Sequence, residues 1–285
     1  MSRTFGGIEQ RFAARETAAV ILQGIPYDGT STWGKGADRG FEAFLEAAEH
    51  LELYDIETDS DVFRRGIHMP PPLEVAGEPE AMVAAVRERA AALLESGRFL
   101  TFFGGEHSIS IGIIRAFHDR HPALSVLQLD AHADLRREYL GSSCNHACAL
   151  HEASRSTNLV QVGIRSMDRC EKGVNPPHKC FLASRIRAEP ETWMEESLAL
   201  LTDPVYLTID LDVLDPAIMP ATGTPEPGGL DWYTLLTYMR RLFASREVVG
   251  FDLVELAPIP GLRAPQFLAA KLYYKLLSYR FDGHA

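Results

Sequence analysis

Three short polar clusters interrupt apolar stretches of this chain, and each carries groups able to hold a metal ion. They are Gly104-Gly105-Glu106-His107-Ser108, Asp130-Ala131-His132-Ala133-Asp134 and Asp210-Leu211-Asp212, and Glu255 follows a fourth apolar run. Asp130, Asp134, Asp210 and Asp212 bring four carboxylates, with His107 and His132 as imidazoles. Carboxylates crowded together repel, their pKa values are driven up, and the fold is weakened unless cations neutralise them. Two divalent ions carry enough positive charge to do so. An oxygen-rich donor set with only two histidines suits a hard ion such as Mn²⁺ better than a thiolate-seeking one.

A lone Asp-x-Asp is usually a solvated loop, and a histidine after Gly-Gly is usually a turn residue. Several clusters, each directly behind an apolar run, point instead to a common pocket. The runs that must position them are residues 18–25, 99–103, 124–129, 159–163, 205–209 and 248–254, read as strands. Amphipathic stretches at 41–53, 80–96, 109–120, 190–201, 232–245 and 265–279 alternate with them and read as helices, with Gly97 as a stop signal after one. Near-continuous apolar strands separated by helices predict a mostly parallel sheet covered on both faces, a three-layer α/β/α arrangement. Residues i and i+2 of an extended chain point the same way, which suits Asp-x-His-x-Asp and Asp-x-Asp at strand ends. Ligands of such sheets bind beyond the carboxyl ends of the strands, so all the clusters are expected on one rim. The loop-like stretches (28–40, 67–79, 135–145, 166–179 and 215–229) are short enough for insertions on one domain, read as residues 1–285.

The formal charge of −11 disfavours nucleic acid, which needs a basic face, and is compatible with a cationic substrate. No stretch approaches the roughly 18 uncharged apolar residues of a membrane helix, and no signal peptide is visible, so the expected location is cytoplasmic. Cys144, Cys148, Cys170 and Cys180 do not have the spacing of a paired C-x-x-C zinc site and read as free thiols.

The motifs resemble those of the ureohydrolase family, which includes arginases, agmatinases and related guanidino hydrolases. The resemblance covers most of the chain. It adds Gly24-Ile-Pro-Tyr-Asp28, Gly36-Ala-Asp-Arg-Gly40, Asp215-Pro-Ala-Ile-Met-Pro220 and Phe251 through Pro258 to the clusters above. It implies two Mn²⁺ per chain, one held by His107, Asp130, Asp134 and Asp210, the other by His132, Asp130, Asp210 and Asp212. It also implies a nucleophilic hydroxide between them, which Asp134 would help to hold, since paired ions lower the pKa of bound water towards about 7. Glu255 matches the residue that grips the guanidinium, a planar fork meeting a carboxylate. His146, in Cys144-Asn-His-Ala-Cys148, matches the histidine that moves protons to the leaving amine. Members of the family usually assemble as trimers or hexamers, the expectation here.

Glu106 stands where Asp is more frequent, Ala147 where Gly is common after the histidine, and Ala221 in place of another Gly; none is a ligand. Arg136 stands where arginases place an Asn that meets the substrate carboxylate. With Thr222 through Gly229, the segment from Asp134 to Gly141 looks like the agmatinase branch, which puts agmatine first among the substrates. Glu138, Glu226 or Glu152 could attract its amine tail. Arg136 could instead bind a carboxylate, favouring 4-guanidinobutyrate, or pair with Glu138 or a neighbouring subunit. Aminopropylagmatine and arginine are further candidates. An inactive metal-binding relative would have lost a ligand, whereas all six are present; a deacetylase-like zinc enzyme would use a single metal.

Overall fold

The computed structural model describes residues 3–75, 77–190 and 192–283; position 76 in the 67–79 loop, position 191 in the predicted 190–201 helix, and residues 1, 2, 284 and 285 of the predicted 1–285 domain lie outside the described residues. Among the described residues, eight parallel strands form one sheet: β1 (Val20–Ile25), β2 (Ile67–His68), β3 (Phe99–Gly104), β4 (Ser125–Leu129), β5 (Asn158–Ile164), β6 (Cys180–Leu182), β7 (Val205–Asp210) and β8 (Val248–Val254). Their order is β2-β1-β3-β8-β7-β4-β5-β6. All six predicted strands are there, and β2 and β6 are added at the two edges. At two and three residues, these are too short to show a periodic pattern.

Successive strand residues point to opposite faces, and each face has its own core. Val20, Leu22, Leu127, Leu129, Phe251 and Leu253 pack on one side, under the helices Gly40–Ala48, Trp193–Ala199, Trp232–Ser245 and Ala264–Phe281. Ile21, Ile25, Val126, Tyr206 and Val254 pack on the other, under Pro79–Leu94 and Ile109–Arg120. The three-layer arrangement follows from a strand that is apolar on both sides. Asp231 caps the Trp232–Ser245 helix by accepting the Thr234 N–H at 2.9 Å.

Two helices differ from the sequence reading. The predicted 41–53 helix stops at Ala48, and Leu51 and Leu53 reach the core from the non-helical segment beyond it. Their every-second-residue spacing is that of extended chain, not of a helix. The 190–201 stretch is helical only from Trp193 to Ala199, and Ala183–Ala188 forms a separate turn of helix.

The strand order matters most for chemistry. β8, last in the chain, lies between β3 and β7 at the centre of the sheet. Because all strands run the same way, the segments after β3, β4, β7 and β8 leave on one rim. Asp134 and Glu255 there adopt left-handed backbone conformations, with φ of 52° and 68°. Such conformations are costly for non-glycine residues and tend to accumulate at functional sites.

Candidate active site

His107 follows β3, Asp130 follows β4, and Asp210 ends β7. The His107 Nδ1 atom lies 3.1 Å from Asp130 Oδ2, 3.1 Å from Asp134 Oδ2 and 3.4 Å from Asp210 Oδ2. His132 Nδ1 lies 2.9 Å from Asp212 Oδ2 and 3.7 Å from Asp130 Oδ1. Two groups of donors therefore converge, His107–Asp130–Asp210 and Asp130–His132–Asp212. Asp130 belongs to both and turns one oxygen to each, as a carboxylate between two cations would.

The residues fit a metal pair on a further ground. His107 Nδ1 is buried and has no hydrogen-bond partner, an arrangement that is unfavourable unless the lone pair is used. Its Nε2 lies 3.0 Å from Thr208 Oγ1, whose hydroxyl donates to Asp252 Oδ1 at 2.6 Å; Tyr206 donates to the other oxygen of Asp252 at 2.7 Å. With Thr208 committed to Asp252, the imidazole donates from Nε2 and leaves Nδ1 for a cation, the usual division of labour in a ligating histidine. Asp130 has similar support. Gln128 donates to Asp130 Oδ2 at 2.7 Å, Gln161 to Gln128 at 2.7 Å, and Asn175 to Gln161 at 3.0 Å. These amides sit on or beside β4 and β5 and are buried. Sequence reading passed over them because a Gln inside an apolar strand has no motif.

Without cations this cluster is electrostatically uncomfortable. Burial, then the neighbouring Asp130 charge, pushes Asp134 up to about 7. Burial, with Asp212 and Asp130, raises Asp210 well above the carboxylate range, and burial raises Glu255 likewise. Burial opposes a charged His132, but Asp212 and Asp130 outweigh it and push the ring up to about 12. His107 also goes up, its burial overcome by Asp130, Asp134 and Asp210, while burial of Asp130 is overridden by the two histidines and its pKa falls. Raised carboxyl pKa values at Asp134, Asp210 and Glu255 are what buried acids crowded together without a neutralising cation should have.

A cavity of about 170 Å³ opens onto this cluster, lined among others by His132, Asp134, Asp210, His146 and Glu255. Glu255 is buried, its Oε1 accepting the His107 N–H at 2.8 Å. Gly223 leaves room beside Oε2, since a Cβ there would lie 3.2 Å from that oxygen. His146 lies across the cavity, its Nδ1 3.1 Å from Thr30 Oγ1. Burial, with the nearby cationic His107 and His132, pushes His146 down to about 4. Glu106 is buried and accepts from the hydroxyls of Ser108 and Thr30; burial raises it to about 7.

Arg136 also lines the cavity, and its partners differ from those anticipated. Its guanidinium lies 3.7 Å from Asp168 and 3.8 Å from Glu171, with its central carbon 4.5 Å from the Tyr139 ring centre. Glu138 is exposed and is not among the residues lining this cavity, whereas its neighbour Tyr139 is. Glu152 is elsewhere, paired with Arg115, whereas Glu226 lies 4.0 Å from His132 Nε2. Asp168 and Glu171 escaped the sequence reading because they come from the 166–179 loop, which has no recognisable pattern. The four cysteines are unbridged.

Two adjoining carboxylate–histidine donor groups at the carboxyl rim of an α/β/α sheet are what a hydrolase with a binuclear metal centre would present. A sequence profile described as the Arginase family matches residues 18–278. The chain is 39% identical over 272 residues to the N(1)-aminopropylagmatine ureohydrolase of Synechocystis, covering 92% of this chain and 89% of that protein. It is 34% identical over 253 residues to the agmatinase of Bacillus subtilis, covering 86% and 85%. The crystal structure of agmatine ureohydrolase from Thermoplasma volcanium superposes with a TM-score of 0.86 at 28% identity, covering 96% of this chain and 94% of that one. The chain belongs to the arginase family, whose enzymes use a binuclear metal centre and hydrolyse guanidino groups with release of urea. Among the described residues, no helix is long and apolar enough to cross a membrane.

Proposed function

We propose that this chain releases urea from an agmatine-type guanidine, an aliphatic cation with an amine tail, using two Mn²⁺ ions. The observation that carries this reading is the state of Arg136. Five carboxylates line the cavity (Asp134, Asp168, Glu171, Asp210, Glu255) against this single arginine, which already lies beside two of them. An arginine so compensated offers little to a substrate carboxylate, which argues against arginine and 4-guanidinobutyrate. Asp168, partly exposed at the cavity wall, suits an ammonium group better. The sequence reading put agmatine first; the higher identity to the Synechocystis enzyme moves N(1)-aminopropylagmatine ahead of it.

His107, Asp130, Asp134 and Asp210 would hold one ion, and His132, Asp130, Asp210 and Asp212 the other; their hardness favours Mn²⁺. When bound, the pair supplies Lewis acidity and a nucleophilic water at neutral pH. Glu255 grips the guanidinium through Oε2 and orients its flat face towards the metal cluster, while its Oε1 remains on the His107 N–H. Asp134 accepts a hydrogen bond from the attacking water. His146 passes a proton to the nitrogen of the tail as the C–N bond breaks, so that guanidinium and water become urea and an ammonium ion. Assembly as a trimer or hexamer in the cytoplasm remains part of the reading, and light scattering on the purified protein checks the assembly.

Urea release measured with N(1)-aminopropylagmatine, agmatine, 4-guanidinobutyrate and arginine, after Mn²⁺ loading, tests the proposal. The two amine-tailed substrates are expected to have the higher kcat/KM. Preference for a carboxylated substrate, or no urea from any while two ions are bound, would refute it.

A further inference from the structure

Three segments distant in sequence meet behind the His146 ring. Thr30 comes from the loop after β1, Glu106 from the turn after β3, and His146 from the segment after β4. Gly105 permits the meeting: a Cβ there would lie 2.0 Å from the Tyr27 carbonyl oxygen, so only glycine lets the first loop lie this close. The loop is stitched down by the Gly105 N–H to Ile25 O at 3.0 Å and the Glu106 N–H to Tyr27 O at 2.9 Å.

The Thr30 hydroxyl has one proton and two lone pairs. It donates to Glu106 Oε2, while Ser108 donates to Oε1. With the proton committed, Thr30 Oγ1 acts as an acceptor for its other neighbours. One is the His146 backbone N–H at 2.9 Å, and the other is His146 Nδ1 at 3.1 Å. An acceptor facing Nδ1 requires that nitrogen to carry a hydrogen. Thr30 and Glu106 are both buried, so water has little access to replace either bond.

We propose that Thr30 and Glu106 are positioning residues that hold the neutral His146 ring as its Nδ1–H tautomer, leaving the Nε2 lone pair to meet the proton in transit at the substrate. The inference rests on the reading of His146 as the proton-transferring group. It explains why a histidine on a loop could act at a defined atom: backbone and ring are held by the same hydroxyl oxygen, so ring rotation and tautomer exchange are both opposed. The Glu106 carboxylate, with Oε2 3.5 Å from His146 Nδ1, serves to orient the Thr30 hydroxyl.

The test uses full-length protein loaded with diamagnetic Zn²⁺ and labelled with ¹⁵N in its histidine rings. Long-range ¹H–¹⁵N correlation spectra report which ring nitrogen carries the hydrogen, with His146 assigned by its absence in His146→Ala. The wild type is expected to show Nδ1–H. Thr30→Val, which keeps the shape and removes the hydroxyl, and Glu106→Ala, which frees the hydroxyl to donate to Nδ1, are expected to shift the ring towards Nε2–H. In the Mn²⁺ enzyme, Thr30→Val should lower kcat about 10–100-fold, with KM changed less than about threefold and Thr30→Ser restoring most of the rate. An Nε2–H tautomer in the wild type overturns the proposal without any variant having to fold, and so does an unchanged tautomer in a folded Thr30→Val. If His146→Ala retains full kcat, the assignment of His146 fails independently, while the spectra still decide what holds the ring.

Discussion

Stripping the metal should make this protein's stability fall with rising pH in a window where the loaded enzyme does not follow. His132 carries the argument. Asp212 and Asp130 overcome its burial and push it up to about 12 in the metal-free fold, against an ordinary value near 6.5. A folded pKa above the unfolded one stabilises fully below the unfolded value and is lost as pH rises through the folded value. Between pH 7 and 9 the metal-free fold keeps this proton while the unfolded chain releases it. One proton costs about 1.4 kcal/mol per pH unit, so His132 alone removes about 3 kcal/mol across the window. For a chain of this size that is a Tm decrease of about 5 °C. His107, Asp210 and Glu255 are also raised and act with the same sign. His146, depressed to about 4, has the opposite sign but acts below the window. Buried thiols such as Cys148 contribute to loaded and stripped protein alike. The readout is therefore the Tm gap between Mn²⁺-saturated and chelator-stripped protein, by calorimetry at pH 7, 8 and 9. Metal binding releases these protons and strengthens as pH rises, so the gap should widen by about 5 °C or more. A gap that is constant or narrows with pH would show that the carboxylates and imidazoles do not hold protons as argued.

Asp130→Asn removes a carboxylate that turns one oxygen to each half of the cluster, so both ions should be weakened together; metal analysis after gel filtration should find well under one ion per chain, whereas loss of a single ion would contradict the sharing. Glu255→Gln can keep the bond to the His107 N–H but loses the charge that faces the guanidinium, so bound metal should be unchanged and kcat/KM should fall about 100-fold, about 3 kcal/mol. Gln161→Met breaks the amide chain behind Gln128 and Asp130 and should weaken metal binding about tenfold in a chelator competition, while a variant that binds as tightly as wild type would reduce that chain to packing.

Much of the carboxylate–histidine cluster is legible in the sequence, because its information is local. An Asp-x-His-x-Asp behind an apolar run already says which residues leave a strand end and that alternate ones share a side. The count of carboxylates already demands cations. The six main strands and the two-sided core were readable for the same reason, since apolar residues at every position of a strand need helices on both faces. Local pattern misled at 41–53, where two residues spaced for extended chain looked helical, and it was silent on β2 and β6, which are too short to have a period.

What the sequence determined by itself was the chemical inventory: the ligand types, their approach to one rim, and the demand for neutralising charge. Tertiary structure alone decided who faces whom. Placing β8 between β3 and β7 set Glu255 against the His107 backbone across 148 positions of sequence. Loop packing gave Arg136 to Asp168 and Glu171, left Glu138 in solvent, and brought Thr30 onto Glu106 and His146. Hydrogen bonds and ion pairs of this kind depend on distances of a few ångströms between segments whose separation along the chain carries no information about them.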